Sequence, residues 1–481
     1  MLSAETYADW ASAAIAYDKA HGNDKWRKAE ASSLYDHASL RERLENLRDL
    51  RARRDADGLL FALNEGIHGN LGGMGNPALY EKAKYGTKQL VEDYIEEVVS
   101  ALEYLGNRRV KKISERDKMQ FFDRAAHCFG RSAFVMSGAG TLLYFHLGVV
   151  KALWEQGLLP RVISGSSGGA LVAGLVGTRT DRELAKIFDP QYLAMEVERE
   201  AGVMRYLSLS SSKQIPIEDV VAVINRLIPD LTFQEAWEKT GIHINIPVAP
   251  AELHQKSRLL NATTSPNVMV RAAVLASCAV PGFYPPVTLV ARNVHGEKQP
   301  YLPSRQWIDG SVAEDLPLKR LARLYGVNHS IVSQTNPAVL PFLNSAKDRE
   351  SFWTILQHAG ISTAKEWSLA AAKMARIPIR NYDRLNKQLG MYMAVLSQTY
   401  TGDINILPPS RVHNPLRLLS SRTKEETLQM IRNGERATWP KIEKIRLQTR
   451  ISRTLDDIRQ KYGSSLSFYA AAEPESTDNE R

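Results

Sequence analysis

The chain has 481 residues, 44% hydrophobic and 24% charged, with a formal net charge of +9. That length exceeds what one hydrophobic core holds, so two or three folding units are expected, and the composition excludes a disordered or fibrous chain. The two cysteines, Cys128 and Cys278, have no CxxC neighbours; they exclude a disulfide scaffold and fit a reducing compartment.

The first stretch, MLSAETYADWASAAIAYDK, breaks its apolar content with Glu5, Asp9 and Asp18 and does not read as a signal peptide. Residues 1–128 then form a predicted helical N-terminal domain, with Leu40, Leu44, Leu47 and Leu50 at helical spacing. The charges of RERLENLRDLRARR read as a solvated face. NLGGMGNP, residues 70–77, is a loop by composition, read as packed on the domain that follows rather than as a hinge. A helical pattern resumes through GTKQLVEDYIEEVVSALEYL.

Composition changes near Arg131. Residues 132–136 (SAFVM) read as a buried strand, residues 137–141 as a glycine-containing loop, and the next stretch as a helix to about Glu155, stopped by Gly157 and Pro160. A second strand at 162–164, the turn GSSGG and the helical run ALVAGLVG complete a βαβ pattern, which implies a parallel sheet covered by helices. IHINIPVAP, SRLLNATT and HSIVSQTN are further strand candidates. These place an α/β core at residues 129–340. A mostly helical extension at 341–470 is expected to complete it, and residues 471–481 read as a disordered tail. No stretch reads as a membrane span, the most apolar ones being interrupted by His146, Lys151 and glycines.

Gly165-Ser166-Ser167-Gly168-Gly169 matches G-x-S-x-G. Between a strand and a helix, that spacing puts a serine on a strained turn with its hydroxyl outward. Gly165 and Gly169 leave room for helix and strand to approach, and the helix N-terminus faces the serine. Ser167 is therefore the candidate nucleophile. The loop Gly138-Ala139-Gly140 is the candidate oxyanion hole, with the N–H of Gly168. A dinucleotide loop is disfavoured, because Leu143 stands where the third glycine of G-x-G-x-x-G belongs. Asp309, in WIDGS and followed by Gly310 and Ser311, is the candidate base at a strand end. His329, His358 and His413 are alternatives that would make a triad, whereas His146 reads as a core histidine. The residues alone leave dyad and triad open.

Taken together, SGAGTLLYFHLGVVKAL, GSSGGA, AVLASCAVPGFYPPV and DGSVAEDLP resemble the patatin-like phospholipase family. Over most of the chain, HGNDKW, NLGGMGNPALY, GTKQLVEDY, QTYTGDINILPP and GERATWP are similar to its subgroup of intracellular triacylglycerol lipases. The resemblance implies a three-layer α/β/α core with a mainly parallel sheet. It also implies a Ser167–Asp309 dyad without catalytic histidine, no metal or cofactor, and oxyanion donors within residues 138–141. Its substrate would be a lipid ester, triacylglycerol or phospholipid, met at a membrane or lipid-droplet surface by a cytoplasmic, peripherally associated protein. Nucleic acid is not an expected partner.

Two departures stand out. The subgroup reads S-G-G-A where this chain has Ser137-Gly138-Ala139-Gly140, and an alanine is strained wherever positive φ is needed. Leu143 replaces a glycine at the acyl entrance, and TLLYF lacks the cation the wider family often carries there, which favours a neutral substrate. The competing functions are a lysophospholipid acyltransferase, distinguished by product analysis with a lysolipid acceptor, and a non-catalytic lipid-binding protein, which a fluorophosphonate probe would not label. The basic segment with Lys373, Arg376, Arg380, Arg384 and Lys387 among apolar residues is a candidate membrane contact.

Overall fold

A computed structural model describes residues 1, 3–67, 70–207, 216–252, 255–336, 339–340, 400–410 and 422–470. The candidate membrane segment 373–387, His358, His413 and the tail 471–481 lie outside the described residues. The chain divides into two compact units, Met1–Arg131 with Ile442–Arg481, and Ser132–Lys441.

The first unit is helical: α1 (Tyr7–Ala20), α2 (Asn23–Lys28), α3 (His37–Ala52), α4 (Ala56–Gly66), α5 (Gln89–Leu105) and α6 (Glu115–Phe129). Leu40, Leu44 and Leu47 of α3 pack into one core with Val91, Ile95, Val98 and Leu102 of α5 and Phe121 and Phe122 of α6. The charges of α3 are not merely solvated: Arg51 and Arg48 pair with the buried Glu97 of α5. The backbone at Lys84, Tyr85 and Thr87 is held by carboxylates. Asp18 accepts from Lys84 and Tyr85 N–H groups, and Glu92 accepts from Thr87 N–H and Arg27. The loop at 70–77 packs on the turn before α3, with Asp36 N–H donating to the Gly72 carbonyl at 2.7 Å.

The last helix, the 29-residue Ile442–Ala470, also belongs to this unit. Its Ile451, Leu455, Ile458 and Tyr462 fall on one helical stripe and join the same core. The C-terminal extension thus divides between the two units instead of completing the catalytic core as a whole.

The second unit is α/β. Its strands are β1 (Arg131–Met136), β2 (Val162–Gly165), β3 (His243–Pro250), β4 (Arg258–Leu260), β5 (Leu289–Arg292), β6 (Lys298–Tyr301), β7 (Trp307–Asp309), β8 (Val327–Ser333) and β9 (Ile404–Ile406). Seven of them form a sheet in the order β4-β3-β2-β1-β8-β9, with β7 on β3; β5 and β6 form a separate hairpin. The pairs β1–β2, β2–β3 and β8–β9 are parallel, while β3 turns antiparallel pairing to β4 and β7. Its helices are α7 (Leu143–Glu155), α8 (Gly168–Gly177), α9 (Asp181–Ile187), α10 (Pro190–Leu207), α11 (Ile217–Leu227), α12 (Phe233–Thr240), α13 (Val270–Ser277), α14 (Ser311–Glu314), α15 (Leu318–Tyr325) and α16 (Lys424–Thr438). The helix of the first unit described above, Ile442–Ala470, is α17.

Alternation along β1 explains the layers. Ala133 and Val135 join a cluster with Leu321 of α15 on one face. Met136 points to the other, where its Cβ lies 2.9 Å from the position a Cβ on Gly169 of α8 would take. Helix α8 is buried along its whole length. Helix α16 crosses α7 where two glycines meet: a Cβ on Gly148 would lie 1.9 Å from the Ile431 carbonyl oxygen, and one on Gly434 2.2 Å from that of Phe145. This close approach accounts for the glycine of GERATWP.

Candidate active site

Ser167 ends the turn from β2 into α8 and is the N-cap residue, at φ 52 and ψ −122. This backbone region is sparsely populated by residues with a Cβ, and persists only where the surroundings over-determine it. Here they do. Ser167 N–H donates to Ser277 Oγ at 3.1 Å, and Ser277 Oγ donates to the Pro247 carbonyl at 2.9 Å. A Cβ on Gly165 would lie 2.1 Å from the Gly169 carbonyl oxygen, and one on Gly169 2.7 Å from that of Ser137. Both glycines are needed for the closeness of strand and helix, in keeping with their spacing around the serine.

Asp309 closes β7, which pairs antiparallel with β3, and its backbone N–H donates to the Ala279 carbonyl at 3.0 Å. Segment 277–279 thereby braces both candidate residues, Ser277 from one side and Ala279 from the other. Gly310 is required by proximity, since its Cβ would sit 2.1 Å from the Pro247 carbonyl oxygen. The Asp309 carboxylate is buried, accepts from Ser311 N–H at 2.8 Å and interacts with the Ser167 side chain. Burial pushes its pKa up to about 6, against the pull of these interactions. The same burial, with the charge of Asp309, raises the pKa of the Cys278 thiol, so Cys278 is neutral beside the site.

The loop after β1 differs from expectation at one donor. Gly138 N–H is engaged by the Asp315 carboxylate at 2.7 Å and is not available to an oxyanion. The N–H groups of Ala139, Gly140 and Gly168 have no hydrogen-bond partner among the described residues. They lie close together, because a Cβ on Gly168 would be 3.2 Å from Gly140 N and 3.1 Å from Ala139 Cβ. Ala139 has φ −133, a region open to any residue, and Gly140 takes the positive φ of 52. The alanine of this loop is therefore unstrained. The loop is not without a cation either: Arg422 Nε donates to Thr141 Oγ1 at 3.1 Å, from 281 residues away.

The described candidates His146 and His329 stand apart from the pair. His146 is buried, with its ring nitrogens on Ser333 Oγ, the Ser137 carbonyl and Thr335 Oγ1, and burial lowers its pKa to about 4. It is a neutral core histidine. His329 Nδ1 contacts Ser132 Oγ, at the far end of β1 from the loop. Among the described residues, no histidine bonds to Ser167 or Asp309.

Ser167 and Gly168 line a cavity of about 310 Å³. Its walls are largely apolar, with Leu143, Leu147, Leu171, Val172, Leu175, Val220 and Val223 among them. Leu143, the departure at the acyl entrance, is part of that wall. Arg179, Arg199, Arg226, Glu196 and Asp219 add charges to the lining.

Residues 134–322 match the family described as patatin-like phospholipase, and residues 1–127 match a domain of unknown function, DUF3336. Triacylglycerol lipase ptl2 of Schizosaccharomyces pombe is 33% identical over 471 residues, which cover 95% of this chain and 74% of that protein. Triacylglycerol lipase 4 of Saccharomyces cerevisiae is 34% identical over 468 residues, covering 91% of this chain and 50% of that protein. The chain thus spans half the length of the second relative. Among solved structures, VipD from Legionella pneumophila covers 69% of this chain and 67% of its own at 13% identity and a TM-score of 0.30, a likeness too low to carry any argument. The strand–loop–helix arrangement defines an α/β protein with a serine at a strained strand-to-helix turn. The chain belongs to the patatin-like phospholipase family.

Proposed function

We propose that this chain hydrolyses acyl esters of lipids, with Ser167 as nucleophile and Asp309 as its base. The observation that carries the reading is the strained Ser167, set beside a buried carboxylate and opening on an apolar cavity. Asp309 accepts the Ser167 proton as Oγ attacks the ester carbonyl, and the N–H groups of Gly168, Ala139 and Gly140 hold the oxyanion. Collapse breaks the ester C–O bond, Asp309 returns the proton to the leaving alcohol, and the acyl group stays on Ser167. Water, deprotonated by Asp309, then releases the fatty acid and regenerates the hydroxyl.

The names of the relatives favour triacylglycerol as the ester. Arg422 beside the oxyanion loop removes the argument that an uncharged loop selects against anionic headgroups. The unstrained Ala139 removes one ground for a non-catalytic reading, and Leu143 lines a cavity instead of blocking it.

The ester is met at a lipid surface. Tyr192, Met195 and Arg199 follow one stripe of α10; Tyr192 and Met195 are 40% and 55% exposed, and Tyr192 and Arg199 line the cavity. Apolar side chains at the mouth, flanked by a cation, suit a lipid surface with anionic headgroups. Among the described residues no helix is long and apolar enough to cross a membrane.

Hydrolysis of triolein, diolein, phosphatidylcholine and a p-nitrophenyl ester by the native chain, Ser167→Ala and Asp309→Asn tests the proposal. Activity in the native chain that both substitutions abolish supports it, and the preferred ester identifies the substrate class. Equal activity in Ser167→Ala rules it out.

A further inference from the structure

Asp315 is fully buried and reaches three separate segments around the candidate site. Its Oδ1 accepts from Gly138 N–H at 2.7 Å, in the oxyanion loop. Its Oδ2 accepts from Asn336 Nδ2 at 2.9 Å, in the segment after β8. Its backbone carbonyl accepts from Ser166 Oγ at 2.8 Å, next to the nucleophile. Burial pushes the carboxyl up to about 7, with the charge of Asp309 adding to the rise. A buried carboxylate is an expensive way to fill space, because an apolar residue of similar volume avoids the desolvation.

What the carboxylate does locally is specific. It captures the one N–H of the loop that lies next to the unpaired N–H groups of Ala139 and Gly140. Ser137 holds the loop on its other side, its Oγ accepting from Thr335 N–H at 2.8 Å and Asn336 N–H at 3.2 Å. Asn336 thus serves both anchors. A rigid loop matters here because oxyanion donors contribute only if they are already aimed where charge develops.

We infer that Asp315 is a positioning residue for acyl transfer, fixing the oxyanion loop through Gly138 N–H and coupling it through Ser166 to the nucleophile turn. This rests on the Ser167 reading of the site. Asp315 touches neither substrate nor the reacting atoms. Its effect falls on the transition state, where the oxyanion forms, and not on ground-state binding of the acyl chain.

The test compares native chain, Asp315→Ala and Asp315→Asn. Readouts are kcat and KM on a p-nitrophenyl ester, the thermal melt, and hydrogen–deuterium exchange of residues 137–142. Asp315→Ala is expected to lower kcat about 10²-fold, the scale of one lost oxyanion donor, with KM within about twofold of native. Exchange rises in 137–142. Asp315→Asn retains an acceptor for Gly138 N–H and recovers kcat to within about tenfold of native, with the loop protected again. If Asp315→Ala does not fold, Asp315→Ser, too short to reach Gly138, takes its place with the same expectation. Native kcat in a folded Asp315→Ala or Asp315→Ser overturns the inference, as does a loss confined to KM. If the native chain is inert on every ester while Asp315→Ala still loosens 137–142, the hydrolase reading fails and the positioning role stands. Unchanged exchange in 137–142 overturns the positioning role whatever the activity.

Discussion

The Ser277 hydroxyl accepts from the backbone N–H of Ser167 at 3.1 Å and itself donates to the Pro247 carbonyl at 2.9 Å. One buried side chain thus holds the nucleophile turn against strand β3, from which β7 and Asp309 also hang. Ser277→Ala leaves two buried polar groups unpaired, each worth about 1–3 kcal/mol. Its melting temperature should fall and kcat on a soluble ester should drop more than KM changes. A variant with native melt and native kcat would show that Ser277 is not a brace.

The raised pKa of Asp309 sets the pH response. The base must be ionised to accept the Ser167 proton, so kcat/KM should rise with pH through about 6 and then level. The charges of Asp309 and Asp315 interact, so this acid limb reports the two carboxyls together.

The same shift has an opposite effect on stability. Between the ordinary carboxyl value of 3.8 and about 6 the native state binds more protons than the unfolded chain, so stability falls as pH rises across that window. At pH 8 the full penalty is present, on the order of 3 kcal/mol. Asp309→Asn removes it. That variant should melt above the native chain at pH 8, lose the difference near pH 4, and be inactive at both. Equal melts at pH 8 would contradict the burial account of the pKa.

Strain at Ser167 separates two inactive variants. Ser167→Ala keeps a Cβ at φ 52, whereas Ser167→Gly relieves a conformation worth about 1–3 kcal/mol, offset by about 0.5–1 kcal/mol of glycine chain entropy. Differential scanning calorimetry should place Ser167→Gly a few degrees above Ser167→Ala. The reverse order would mean that the turn is not strained.

Much of this site is legible in the sequence because its causes are local. Gly165, Ser167 and Gly169 constrain one tight turn, and β1, β2 and α7 follow from hydrophobic periodicity and the stop at Gly157. What the sequence hides depends on contacts between distant segments. Asp315 meets Gly138 across 177 residues, Ser277 meets Ser167 across 110, and Arg422 meets Thr141 across 281. The hold of Asp315 on Gly138 N–H is invisible in the sequence for that reason. The hairpin of β5 and β6 leaves little trace in the sequence, because KQPY is largely exposed and shows no apolar alternation. The split of the C-terminal extension follows from the stripe on α17, whose period is plain but whose partner unit is not.

The stripe on α10 predicts a difference between soluble and aggregated substrates. Met195→Asp and Tyr192→Asp should each lower the rate on emulsified triolein or mixed vesicles about tenfold, the equivalent of ~1.4 kcal/mol of lost apolar transfer. The rate on a short soluble ester should stay within about twofold for Met195→Asp, whose side chain is exposed beyond the cavity lining. Equal losses on both substrates would place Met195 in folding or chemistry and not at a lipid surface.

The central claim is that Ser167 carries the acyl group, and labelling by a fluorophosphonate tests it most directly. Peptide mass spectrometry of the labelled native chain should find one adduct, on Ser167. Asp309→Asn should label far more slowly, and Ser167→Ala not at all. An unlabelled native chain, or an adduct on another serine, would contradict the account.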